Sequence, residues 1–459
     1  MISRRELISG LPAGLAAAQQ VASGQTTRTA APRPNLIVIV SDDHGFEDLG
    51  CQGAKDVKTP NFDALAASGA HFQQWYSGAP VCAPSRASLL TGRYPIRCGV
   101  PGNGQELKPS ELTIAQLLKT GGYKTAALGK WHLGSTDQTC PNAHGFDYFY
   151  GFHSGCVDFF SHRFYWGEPK TVNYHDLWRN RTEIFEDGQY LTESLTREAK
   201  KFIHDNQHQP FFLYLAYNAV HYPMHAPEKY KARFPGMEKE RQTYVAMLSA
   251  MDDGIGEVLG TLKQLGLRDN TFIHYQADNG ATREARAGLN GQPGRAGSNG
   301  ILRGNKFSLF DGGMHVPAIM SWPKVIPAGQ KIAEVGVAMD VLPTFCKVAG
   351  VALPQDRTYD GHDVLPVVNE KAKSQHDAIY WSNQGQLATR QGSWKLVEKG
   401  KPFDGTPNGN QSLEGEDSLF LSDLSRDPGE KTNLRRQHPD VVDQLSSATH
   451  KWLEEVKKN

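Results

Sequence analysis

The chain carries no net charge, because 49 Lys plus Arg stand against 49 Asp plus Glu. No overall field draws it to nucleic acid or to an anionic membrane, so any anion it binds must be recognised by local groups. Cysteine is scarce, with six in 459 residues. Cys51, Cys82, Cys98, Cys140, Cys156 and Cys346 show no paired zinc-type spacing and are too sparse for a disulfide scaffold. One or two bridges are the most such a count supports, for example Cys140 with Cys156. Long apolar runs are missing too. The run near the N-terminus falls short of the ~20 residues a membrane helix needs and contains Pro12, so no membrane span is expected. No internal repeat is present.

The N-terminus itself, "MISRRELISGLPAGLAAAQQVASGQ", sets Arg4 and Arg5 ahead of a mildly apolar run and then small residues. That is the layout of a twin-arginine export signal over residues 1–24, followed by a polar linker over 25–33. A periplasmic or secreted protein is the expectation.

Beyond the linker, apolar runs of strand length alternate with helical periodicity. "NLIVIVSDD", "KTAALGKWH", "PFFLYLAYNAVH" and "NTFIHYQADNG" read as strands, the first apolar enough to be covered on both faces. Between them "ELTIAQLLKTGGY", "LTESLTREAKKFIHDN" and "ERQTYVAMLSAMDDGIGEVLGTLKQLGL" read as helices. The alternation predicts an α/β sandwich with a mostly parallel sheet over residues 34–360. From 361 to 459 shorter strands and a charged terminal helix predict a smaller α+β domain. The four strands end in Asp42 and Asp43, Lys130 and His132, His221, and Asp278 and Asn279. Ligands in such sheets bind beyond the carboxyl ends of the strands, so these ends predict one active site. The Gly-, Asn- and Arg-rich segment 281–306 reads as a long loop at its mouth.

Asp42, Asp43, Asp278 and Asn279 offer oxygen only, the donor set of a hard cation such as calcium. An isolated Asp-Asp pair more often opens a turn; the second acidic pair is what points to metal. Cys82 precedes Pro84 and Gly92 in "CAPSRASLLTG", which reads as a short helix whose positive N-terminal end sits at residue 82. Read alone, that cysteine is packing or an activated thiol.

"CAPSRASLLTG" resembles the signature of the type I sulfatases, in which the cysteine becomes formylglycine. "PNLIVIVSDDHG" is similar to that family's first metal segment, "GYKTAALGKWHLG" to its Lys/His segment and "QADNG" to its second metal segment. "AVHYPMHAP" and "RGNKFSLFDGGMHVPAI" are similar to the segments carrying its distal histidine and last lysine. The likeness runs from Pro34 to the segment 419–434. It implies an alkaline-phosphatase-like α/β/α sandwich with a large mixed sheet and a smaller antiparallel sheet in the C-terminal domain. It also implies hydrolysis of sulfate monoesters through a formylglycine diol and a covalent sulfo-enzyme intermediate. One Ca2+ would be held by Asp42, Asp43, Asp278, Asn279 and the modified residue 82. By the same resemblance Arg86 and Lys130 hold the diol and His132 takes the proton of its second hydroxyl. Asp278 helps deprotonate the attacking hydroxyl, and His221 and Lys306 face the leaving group, with His221 the acid. A formylglycine-generating enzyme is then a required partner. Taken singly, each of these residues has a plain reading as a surface charge or a packed core histidine. Where the family often has Glu and Arg after the last lysine, this chain has Asp311 and His315.

"HGFDYFYGFHSGCVDFFSH" is similar to the arylsulfatase B and N-acetylgalactosamine sulfatase branch. That implies a sulfated saccharide substrate, with a 4-sulfated hexosamine or galactose unit as the expected target. His153, Asp158, His162 and His225 are the candidate substrate contacts, and Tyr148, Phe149, Phe160, Tyr165 and Trp166 the candidate stacking rings. A phosphonate monoester or phosphodiester hydrolase of the same fold is the nearest alternative reading, and a noncatalytic carbohydrate-binding protein with a degenerate site the second.

Overall fold

The computed structural model describes residues 33–165 and 173–458. The expected export signal, all of the expected linker except Arg33, and Trp166 lie outside the described residues. Residues 33–459 form one compact unit. Its frame is a ten-stranded mixed sheet. Along the chain the central strands are β1 (Asn35–Ser41), β2 (Lys124–Lys130), β3 (Tyr148–Phe152), β4 (Phe211–Ala216) and β5 (Thr271–Ala277). In space they run β5–β1–β4–β2–β3, every pair parallel. Ala318–Ser321 adds an antiparallel strand outside β5.

Each central strand is covered on both faces, and its pleat sends alternate residues to opposite layers. Leu36, Val38 and Val40 join one core with Phe212, Tyr214 and Ala216. Ile37 and Ile39 join the other with Phe211, Leu213 and Leu215. The first layer holds α1 (Cys82–Thr91), Ile114–Thr120 and Val341–Ala349. The second holds α2 (Leu191–Asp205) and α3 (Lys239–Gln264), packed on each other. The mostly parallel α/β/α sandwich expected from the sequence is therefore present. α1 ends where the sequence says it should: Gly92 takes φ 68°, and its N–H returns to Ser88 O. A left-handed residue at that place is strained for any side chain but glycine.

A second, antiparallel sheet follows, built from β6 (Ile379–Asn383), β7 (Gln386–Gln391), β8 (Trp394–Glu398) and β9 (Leu419–Asp423) in that order. The terminal helix α4 (Pro439–Lys458) covers it. Trp381, Val397, Phe420 and Trp452 share one apolar cluster with Tyr76, Leu309, Phe310 and Met339 of the larger part. Val364, Val367 and Val368 pack into the first core layer.

A buried charge cluster joins the two sheets. Lys395 of β8 pairs with Asp311 at 2.6 Å and with Glu430 at 3.1 Å. Tyr76 donates to Asp311 (2.7 Å), and Arg390 of β7 donates to Tyr76 (2.6 Å). Asp311 thus keeps an ion pair although His315 stands where the family often has arginine. The His315 imidazole lies 3.4 Å from Asp311, and Lys395 supplies the cation. Lys395 pulls Asp311 well below the usual carboxylate range against the effect of burial. All six cysteines are free, so the bridge suggested for Cys140 and Cys156 is absent. Each thiol instead points to a carbonyl, Asp137 O and Tyr165 O respectively. No helix among the described residues is long and apolar enough to cross a membrane.

Candidate active site

β5, β1, β4 and β2 are four consecutive neighbours in the sheet, so their carboxyl ends deliver residues to one stretch of its edge. Asp42 and Asp43 follow β1, Lys130 ends β2, His221 lies five residues past β4, and Asp278 and Asn279 follow β5. Cys82 opens α1 and Arg86 lies one turn along it.

These groups interlock. Lys130 Nζ donates to Asp42 at 2.7 Å. Arg86 donates twice to Asp278, at 3.0 and 2.7 Å, and once to the carbonyl of Lys130. The Asn279 amide donates to Asp43 (2.8 Å), and the Asp43 backbone N–H donates to Asp278 (3.2 Å). Lys306 Nζ reaches Asp43 at 3.0 Å, Glu284 at 2.9 Å and His221 Nε2 at 3.3 Å. The Cys82 thiol lies 3.7 Å from Asp42. His221 donates through Nδ1 to the carbonyl of Tyr222, since a carbonyl can only accept. Its other nitrogen is left facing Lys306.

The backbone is strained at three points of the site. Asp43, His132 and Phe307 adopt φ of 55°, 58° and 75°. Such conformations cost non-glycine residues of order 1 kcal/mol each and persist where the surroundings hold them. Gly155 lies so close to His132 that a β-carbon there would come within 2.8 Å of the imidazole. The backbone of this loop therefore forms the seat of the ring.

Burial sets the electrostatics. It pushes Asp43 up to about 7, against Lys306 and with help from Asp42 and Asp278. It raises Asp278, with Asp42 adding to the shift and Arg86 opposing it. It also drives the Cys82 thiol far above its ordinary value, so an unmodified Cys82 is a protonated thiol. His132 and His221 are held well below the ordinary histidine range, by burial first and then by Lys130 and Lys306 respectively. Glu284 moves down, to about 2, because Lys306 and His221 outweigh the effect of burial.

The donor set fits a hard cation. Asp42, Asp43, Cys82 and His221 each present a ligand atom, all within 4.8 Å of one another. Asn279 keeps a buried side-chain oxygen with no partner. Four carboxylates, counting Glu284, face three cationic side chains, Arg86, Lys130 and Lys306. A divalent ion would turn that surplus into a net positive charge suited to an anionic ester and would keep the raised carboxylates ionised. His221 was not among the oxygen donors expected from the sequence, and Asp278 spends one oxygen on Arg86.

A cavity of about 470 Å³ opens on the cluster, lined among others by Cys82, His132, His221 and Lys306. Of the four expected substrate contacts, His153 lines a cavity adjoining this one through His132 and Gly104. Asp158 accepts the N–H groups of Phe160 and Ser161 and pairs with His225 at 3.2 Å. His162 is held by Gln189 O (3.1 Å) beneath the surface. Phe149 is core, and Phe160 packs on Tyr190.

Several residues here carry no sequence signal. Glu284 lies within an irregular loop. Asn103 accepts the N–H of Ala83 at the start of α1 (3.1 Å). Asp176 accepts the N–H groups of His153 and Ser154 at 3.1 and 2.8 Å. No motif or periodicity marks any of the three.

With this geometry in view, likenesses to known proteins become informative. The family model for sulfatases matches residues 34–351. N-acetylgalactosamine-6-sulfatase from Sus scrofa is 33% identical over 461 residues, covering 92% of this chain and 85% of that protein. Human steryl-sulfatase is 33% identical over 500 residues, covering 88% and 85%. The crystal structure of Ps i-CgsB in complex with k-i-k-neocarrahexaose superposes with a TM-score of 0.80 at 33% identity, covering 92% of each chain.

Proposed function

The chain belongs to the sulfatase family and is a sulfuric ester hydrolase; from that premise we propose that it removes sulfate from a carbohydrate, with Cys82 converted to formylglycine. The observation that carries this reading is the gathering of Cys82, Arg86, Lys130, His132, His221 and Lys306 around one buried acidic cluster. A galactose or hexosamine unit is the target, and the 4- and 6-sulfates are the two regiochemistries to separate. The 4-position is the expectation from the middle segment, while one relative is named for a 6-sulfate. Export through the N-terminal segment would bring the enzyme to polysaccharide outside the cytoplasm.

Asp42, Asp43, Asp278 and Asn279, with residue 82, would hold Ca2+, which supplies fixed positive charge against the sulfate oxygens. The hydrated aldehyde supplies two hydroxyls, one to attack sulfur and one whose collapse releases sulfate. Arg86 and Lys130, anchored on Asp278 and Asp42, aim their charge at residue 82 and orient it. Asp278 is placed by Arg86 to accept the proton of the attacking hydroxyl. His132, neutral and with an unpartnered ring nitrogen, accepts the proton of the other. His221 and Lys306 form the donor pair for the leaving oxygen. His221 is neutral before substrate arrives, and the negative charge of the ester raises its proton affinity.

The test is mass spectrometry of the peptide containing residue 82, combined with parallel assays of the same preparation. The substrates are an aryl sulfate, an aryl phosphodiester, a steroid sulfate, 4- and 6-sulfated galactose and N-acetylgalactosamine, and a sulfated galactan. Sulfate release from the sugars by protein carrying the aldehyde is the expected result. A faster phosphodiesterase, or full sulfatase activity with an intact thiol at 82, would overturn it.

A further inference from the structure

The catalytic cavity adjoins two others. A cavity of about 370 Å³ shares His132 and Gly104 with it. A cavity of about 420 Å³ shares Glu284, Lys306 and Phe307 with it, and has no lining residue in common with the first. The space for the bond to be cleaved therefore opens through different residues into two further spaces, each about the size of a sugar ring or more.

Their linings differ, and both suit saccharide. The first is built by His153, His175, Asp176 and Trp178. Both imidazoles are more than nine-tenths buried, at 9% and 8% exposure, and each keeps an Nε2 with no protein partner. Asp176 fixes this wall by accepting two backbone N–H groups and the Trp178 indole N–H (2.8 Å). Two imidazoles and an indole in one wall offer ring surface on which a sugar can stack, with buried ring nitrogens whose hydrogen-bonding capacity the protein leaves unfilled. The second space is walled by Phe307 and Phe403, whose rings lie 5.5 Å apart. Phe403 belongs to the connection between β8 and β9 of the second sheet. Asn305 holds it in place by donating to its carbonyl at 2.9 Å.

Resting on the sulfatase reading above, we infer that the cleft accepts an internal sulfated unit of a linear saccharide, with a neighbouring sugar seated on each side of it. The enzyme then acts along a chain rather than only at its end. A pocket for a terminal sugar would need a space on one side alone.

The test compares three substrates on the enzyme carrying the modified residue 82: an aryl sulfate, a sulfated monosaccharide, and a hexasaccharide sulfated only at an internal unit. The hexasaccharide should have the highest kcat/KM. His175→Ala and Phe403→Ala should each raise KM for it about three- to tenfold, the scale of one lost stacking or hydrogen-bonding contact. Both should leave aryl sulfate turnover unchanged, with melting temperature as the check on folding. Equal efficiency on monosaccharide and hexasaccharide would overturn the inference. So would an effect confined to one flank, or a parallel loss on aryl sulfate. Absence of sulfate release from every ester would instead defeat the sulfatase reading itself.

Discussion

Two of the buried charge clusters among the described residues make a contrast, and only one of them adjoins a cavity. At the junction of the sheets, Asp311 and Glu430 face Lys395 and Arg390, two carboxylates for two cations, with none of the four lining a described cavity. At the ends of the parallel strands, four carboxylates face three cations beside an open space of about 470 Å³. Burial and ion pairing are common to both and so do not mark function. What separates them is the charge left over and the cavity.

That contrast can be broken by experiment. Cys82→Ala should fold normally yet lose about 10⁵-fold or more in sulfate release, the scale for removing a nucleophile. Substantial residual turnover would place the chemistry elsewhere. Lys395→Met should do the reverse. Leaving Asp311 and Glu430 uncompensated should lower unfolding free energy by about 3–5 kcal/mol, read from the denaturant midpoint, while the folded fraction keeps its kcat. If that variant is stable but inactive, the junction is part of the site.

His221→Ala should slow release from sugar sulfates by about 10²–10³-fold, as loss of a proton donor does. Aryl sulfates with acidic leaving groups should be far less affected. Equal slowing of both would assign His221 to binding.

The smallest effect sharpens the structural side. His376 donates through Nε2 to Asp340 at 2.8 Å, and this carboxylate overcomes burial to raise the imidazole above 6.5. The tilted ring of His362 lies 4.7 Å away between centroids, and His362 is itself lowered. A raised folded-state pKa contributes stability that is complete below the unfolded value and fades as pH rises through the folded one. The wild type should therefore lose about 1 kcal/mol relative to His376→Gln between pH 6 and 9, measured by unfolding at several pH values.

The gathering of Asp42, Asp43, Lys130, Asp278 and Asn279 at one sheet edge was legible in the sequence because parallel strands leave a clear imprint. Their apolar runs are unbroken, and a change to Asp, Lys or His marks the end that faces the ligand. Topology then makes four such ends neighbours. Residues delivered by loops leave no such imprint. Glu284, Asp176 and Phe403 reach the cleft through turns whose course depends on distant contacts. Asp158 and His162, in a His- and aromatic-rich segment beside His153, hold that segment's own turns together, and His225 reaches across from the segment after β4 to pair with Asp158. Asp311 shows the limit in another form, since its partner Lys395 comes from a different sheet and no local pattern could reveal it.

The origin of Phe403 has one further consequence. Under the proposed function, the side chains that would break the ester gather at the strand ends of one sheet, while Phe403, a wall of the flanking space, comes from a connection within the other. Grafting residues 399–413 from a cousin with different tastes should hand over its preference for chain type and leave the cutting chemistry untouched.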